Sequence, residues 1–151
     1  MKIPTIFPIA IAAAFLAIAP AHSAEKDDLE SLPPAVQKTA RELVGSSKIE
    51  EVEDTFEDGK RAHEVEFERD GKKLAIVISE EGKLIQTEHR ISVGETPANI
   101  KAAVEKQFPG ASISHIKEIE KGAAKFFEIS VKAGGKSHQL KLTAEGKTLE
   151  K

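Results

Sequence analysis

The stretch His63–Lys83, HEVEFERDGKKLAIVISEEGK, reads as strand, tight turn, strand, tight turn, and the rest of the chain is arranged around it. Val65 and Phe67 alternate with Glu64, Glu66 and Glu68, the period of two that marks a strand with one buried face. Asp70-Gly71 is a strong hairpin signal, because a type I′ turn needs positive φ at both central residues. Folding the chain there sets Phe67 beside Leu74, Val65 beside Ile76 and His63 beside Ile78, so one face is apolar in both strands. The other face carries Glu68 opposite Lys73, an ion pair worth some tenths of a kcal/mol (about 0.2–1). Glu81-Gly82 makes a second turn and is expected to bring Ile78 beside Ile85.

A shift of 64 residues returns the same plan without a gap. Pro33 meets Pro97, Ile49 meets Ile113, Glu64 meets Glu128, Gly71-Lys72 meets Gly135-Lys136, and Glu81-Gly82-Lys83 meets Glu145-Gly146-Lys147. These eight identities fall at turns and core positions. Phe127 with Leu142, Ile129 with Leu140 and Val131 with His138 rebuild the apolar face. Each copy opens with a helix: Leu32-Pro33-Pro34 starts the first, with Val36, Ala40 and Leu43 or Val44 on one side and Gly45 closing it. Thr96 is expected to cap the second, with Pro97 at its first position. In the first copy, strands follow at about 49–56, 61–69, 72–79 and 83–92. The fold class is α+β: two tandem helix-plus-antiparallel-meander repeats of about four strands each, with the helices packed on one face of a continuous sheet or of two abutting ones.

The 151 residues suffice for one domain or two very small ones. Residues 1–24 have the pattern of a signal peptide, with Lys2, an apolar run Ile6–Ile18 and a small-residue cleavage point near Ala21-His22-Ser23. That run is shorter than the roughly 20 residues of a bilayer span. The chain is therefore expected to be periplasmic or secreted, with no membrane span after cleavage. Residues 25–31 form a polar lead-in, 32–93 the first repeat and 96–151 the second. Cysteine, Trp and Tyr are absent, which leaves no disulfides and few anchors for stacking bases, so nucleic acid is not an expected partner. Charge is uneven. Glu25–Glu95 holds 19 acidic and 11 basic residues, Thr96–Lys151 holds 6 and 10, and the halves should attract or present faces of opposite sign.

Leu32-Pro33-Pro34-Ala35-Val36 and Thr96-Pro97-Ala98-Asn99-Ile100, with Phe108-Pro109-Gly110-Ala111 and the strand–Gly-Lys–strand–Glu-Gly-Lys modules, resemble the PepSY-like domain. His63-Glu64-Val65-Glu66-Phe67 and Phe126–Val131 look like that family's YEVEV-type strand, with His63 and Phe127 where Tyr is frequent. The resemblance spans nearly all of the chain after residue 31, in two copies. It implies a small exported module, similar in architecture to tandem-repeat β-lactamase inhibitor proteins. It also implies a protein or peptide partner, peptidases included, since PepSY-type domains accompany peptidase propeptides. The family has no catalytic residues to carry over.

The residues themselves carry little chemistry. No P-loop, nucleophile elbow or HExxH spacing occurs, and no cofactor or enzymatic activity is expected. His63 and His89 fall beside Ile78 and Leu74, about 13 Å apart along one strand, too far to share an ion held at about 2 Å. The acidic run containing Glu51, Glu53, Asp54, Glu57 and Asp58 is a weak candidate cation site. It echoes a calcium loop, but Phe56 and Val65 stand where carboxylates are needed. The open sheet face is the remaining candidate, a polar surface for a protein or peptide formed by Glu64, Glu66, Ala75, Val77, Gln86, Glu128, Ser130, Gln139 and Lys141. Lys141 lies opposite Glu128 and, across the next turn, Glu150.

Overall fold

The computed structural model describes residues 29–149; the signal peptide expected over 1–24 lies outside them, as does Glu150. Helix α1 (Pro34–Val44) is followed by strands β1 (Lys48–Glu57), β2 (Lys60–Arg69), β3 (Lys72–Ser79) and β4 (Leu84–Arg90). Helix α2 (Ala98–Gln107) precedes β5 (Ser112–Lys121), β6 (Ala124–Ala133) and β7 (Lys136–Thr143). The seven strands form one antiparallel sheet in sequence order. Among the described residues the second half therefore has three full strands, and a bridge between Leu142 and Thr148 stands where a fourth was expected.

Register follows the alternation. Phe67 pairs with Leu74, Val65 with Ile76 and His63 with Ile78, and the matching pairs recur between β6 and β7. A bulge interrupts β1–β2 between Ile49 and Glu51 and β5–β6 between Ile113 and His115, 64 residues on. One expected pair differs: an irregularity after Val77 sets Ile78 opposite Leu84 rather than Ile85. Lys73 does stand opposite Glu68, but its ammonium reaches past β2 to Glu50 at 3.0 Å.

Two apolar cores lie on the helical side. Val36, Ala40 and Val44, spaced by four residues and so on one stripe of α1, bury against Val52, Val65, Phe67, Ile76 and Ile78. Ile100 and Val104 of α2 cover Ile116, Phe127, Ile129, Leu140 and Leu142. Each fully buried Val, Ile or Leu contributes about 1.5–3 kcal/mol. At the end of the polar lead-in, Leu29–Ser31 forms a 3-10 turn, and Leu29 joins the first core. Thr96 does not cap α2. It is buried, its hydroxyl donates to the Ser92 carbonyl at 2.9 Å, and Pro97 takes the capping position ahead of Ala98.

Each helix is tied to the Glu-Gly-Lys turn of its own half. The Thr39 hydroxyl donates to the Gly82 carbonyl at 2.7 Å, and the Asn99 amide donates to the Ala144 carbonyl at 2.8 Å. Gly82 has φ of +82°, and a Cβ there would stand 2.7 Å from the Ala35 carbonyl oxygen; at Gly146 the corresponding atom is Asn99 O at 3.2 Å. Gly71 has φ of +73° but open space around it. Urea denaturation should rank the alanine variants accordingly. Gly71→Ala loses about 1–2 kcal/mol to backbone strain, Gly82→Ala loses a further 1–3 or so to overpacking, and Gly146→Ala falls between them. Equal losses at Gly71 and Gly82 would contradict the helix contact.

Candidate functional site

Alternation sends Glu64 and Glu66 of β2, Ala75 and Val77 of β3, and Gln86, Glu88 and Arg90 of β4 to the side away from the helices. Pairing extends this face to Lys117, Ile119 and Lys121 of β5, Phe126, Glu128 and Ser130 of β6, and Gln139 and Lys141 of β7. In a flat sheet β1 and β5 would be about 19 Å apart, more than a lysine and a glutamate can bridge. Yet Lys121 Nζ lies 3.2 Å from Glu57 and 3.0 Å from Asp58. The sheet is coiled, with this face concave.

Curvature closes part of the face expected to be open and wet. Ala62, Val77, Ile119 and Phe126 are buried there, and Val77, a candidate contact residue, is only 1% exposed. Phe126 also supplies an aromatic ring on this face, with Lys141 Nζ 4.2 Å from its centroid. Glu64 is mostly buried. Lys117 stands between the halves, 3.0 Å from Glu64 and 2.6 Å from Glu88. Lys117 meets Glu88 at Oε2, while the other Glu88 oxygen accepts from the Gln86 amide at 2.8 Å. Glu66 lies 3.7 Å from Arg90. Burial, then the like charge of Glu88, pushes the Glu64 carboxyl above its ordinary value against the pull of Lys117. Burial opposes charge on Lys117, but Glu88 and Glu64 outweigh it and raise its pKa.

The remaining candidates come together. Glu128, Ser130, Gln139 and Lys141 line one concave cleft of about 780 Å3 with Arg90, His115 and Lys117, and Thr148 and Leu149 at its rim. Lys141 pairs with Glu128 at 3.0 Å, as its cross-strand position required. The acidic run does not converge. Asp54 points to the helical side, bound to Arg61 and 2.9 Å from the buried His63 ring, whereas Glu51, Glu53 and Glu57 point the other way. The Arg61 guanidinium holds the Asp54 carboxyl below its ordinary value, and the Lys121 ammonium does the same for Asp58. Among the described residues no three carboxylates or histidines are grouped to hold a metal ion. His63 is 2% exposed and belongs to the core.

Lys117, Lys121, Glu88 and Arg90 were not singled out from sequence. A signal existed: the 64-residue shift turns Glu53 into Lys117 and Glu57 into Lys121, reversing charge at matched positions of β1 and β5.

No protein-family model matches the chain, and no curated protein matches it in sequence. Solved structures do share the fold. A protein described as periplasmic from Bacteroides eggerthii superposes with a TM-score of 0.65 at 13% identity, over 79% of this chain and 86% of that one. A DUF2874 family protein from Bacteroides ovatus gives 0.63 at 17%, over 80% and 86%. A BLIP-like protein from Bacteroides fragilis gives 0.59 at 18%, over 82% and 89%. The class defined is a two-helix, seven-stranded α+β protein, similar in architecture to BLIP-like proteins. At these identities the likeness is one of fold.

Replacing Lys117 by Met leaves Glu64 and Glu88 without their shared cation, so the Glu64 carboxyl should rise further. A folded-state pKa above the unfolded one means that the native form holds extra protons between the two. Stability then falls as pH climbs from the ordinary 4.5 through the raised value. Lys117→Met should cost about 3 kcal/mol at pH 8 and much less at pH 4.5, with Glu64→Gln and Glu88→Gln added to it restoring stability at pH 8. Urea titrations at both pH values decide this; an equal loss at each would contradict it.

Proposed function

We propose that the chain is an exported, non-catalytic module that binds a protein or peptide on the concave face of its sheet. The observation that carries this is the cleft formed by Glu128, Ser130, Gln139 and Lys141 with Arg90 and His115, on the side the helices leave uncovered. Export to the periplasm is supported by the signal-like pattern of residues 1–24 and by the shared fold of the Bacteroides eggerthii protein described as periplasmic. A binding role is favoured over catalysis by the ionic state of the face. Glu64 and Glu88 are both held by Lys117, and Glu128 is held by Lys141. Their oxygens are occupied by partners within the chain, which leaves fewer of them free to take a proton from a substrate.

The BLIP-like protein with the same fold favours a protein as partner. The PepSY-like character of Leu32–Val36 and Thr96–Ile100 favours a peptidase among proteins. Contact falls to the exposed Glu128, Gln139 and Lys141 and the half-buried Ser130, with the partly buried Glu64 and Glu66 on the same face nearer the seam between the halves.

A photo-cross-linking residue tests the face. Placed at Gln139 in the exported chain it should capture a discrete protein or peptide adduct, whereas the same residue at Glu42, exposed on α1, should not. Lys141→Glu should reduce the adduct at Gln139 severalfold while leaving the melting temperature within a few degrees. Adducts of equal yield at both positions, or none at Gln139, would remove the concave face as the site.

A further inference from the structure

Two glutamates on the concave face are accounted for by the seam: Lys117 holds Glu64, and Arg90 lies 3.7 Å from Glu66. Their neighbours on β1 are not. Glu53 stands directly opposite Glu64, and Glu51 directly opposite Glu66. Like charges placed opposite each other on paired strands are destabilising. Glu50, Asp54 and Glu57 of the same strand are held by Lys73, Arg61 and Lys121. Among the described residues, neither Glu51 nor Glu53 makes an ion pair or a side-chain hydrogen bond.

The second half shows that the fold does not require this block. At the 64-residue shift Glu51 becomes His115, Glu53 becomes Lys117 and Glu66 becomes Ser130, while Glu64 keeps its charge as Glu128. The register is the same, bulge included, with His115 opposite Ser130 and Lys117 opposite Glu128. One half therefore sets unlike or uncharged groups together where the other sets two like pairs. A local cost that no contact within the chain offsets is characteristic of a functional surface.

Charge and spacing define the occupant. Glu53 is exposed and Glu51 half-buried, both on the concave side. They lie two residues apart on one strand, about 7 Å. Among the described residues no three carboxylates or histidines are grouped to hold a metal ion. Two cations at the same spacing are the alternate side chains of an extended segment with Lys or Arg at every second position.

We propose that the β1 end of the concave face docks an extended basic segment of the partner protein, with two of its Lys or Arg side chains over Glu51 and Glu53. Each contact adds an attraction and also relieves a repulsion already present in the free chain. The proposal rests on the concave-face reading above and adds to it the charge of the partner.

The test is an amide NMR titration of the exported chain at low salt with a synthetic peptide of alternating Ser and Lys. Shifts are expected at Glu51, Val52 and Glu53, fading as salt is added. Binding should be about fivefold weaker when Glu51→Gln and Glu53→Gln are combined, and for a peptide with the same lysines in adjacent pairs. Glu42→Gln, on α1, should leave it unchanged. Glu53→Lys should abolish binding yet raise the melting temperature by a few degrees, because it copies the Lys117–Glu128 arrangement. A lower melting temperature for Glu53→Lys would overturn the proposal by giving Glu53 a structural role. Undiminished binding to the double variant, equal binding of the paired-lysine or a Ser–Glu peptide, the same shifts with calcium alone, or a dimer by sedimentation would also overturn it. Shifts confined to Ser130, Gln139 and Lys141 would sink the basic docking but keep the concave face. No shift anywhere on that face would sink both.

Discussion

Lys117 between Glu64 and Glu88 is the contact on which the shape of the molecule depends. Each half could build its own helix-covered core without it, since the two cores share no residues. What neither half can do alone is curve the common sheet. The ammonium draws β2 and β4 toward β5 on one side, and Lys121 draws in the end of β1. Partial burial strengthens these pairs and also makes them costly to leave incomplete. Ala62, Val77, Ile119 and Phe126 then fill the space inside the bend. Charge and packing act together here: ion pairs define the bend, and a small apolar layer makes it dry.

The curvature separates two kinds of surface on one face. Near the seam between halves the concave side is a sealed floor, with Val77 and Ile119 out of reach of solvent. Toward β7 it widens into the cleft, where Gln139 and Lys141 remain exposed. Beside the cleft the exposed part of the face thus belongs to the second half, and the half-buried carboxylates near the seam belong largely to the first.

Much of the fold was legible because its signals are local. The β2–β3 register followed from Asp70-Gly71 and a period of two, and the duplication carried the same register to β6–β7. Glu128, Ser130, Gln139 and Lys141 were placed on one face for the same reason. What could not be read was whether that face is wet. Val77 has the same alternation whether the sheet is flat or coiled, and its burial depends on Phe126 and Ile119, some fifty residues away in sequence. Thr96 misled because a threonine before proline suits a helix cap, and only the loop's own path brings the Ser92 carbonyl within reach of its hydroxyl. The polar lead-in hid Leu29, whose partners are distant side chains.

The charge reversal between matched positions has a consequence for assembly. Two first halves laid together as the two halves lie here would set Glu57 against Glu57 and Glu64 against Glu53, so like charges would meet at the bend. Two second halves would oppose Lys121 to Lys121. Only the heterotypic arrangement is attractive at both contacts, and the covalent link supplies it at high local concentration. The chain can thereby tell its own second half from a neighbour's first, and pairing between like halves of two copies is discouraged.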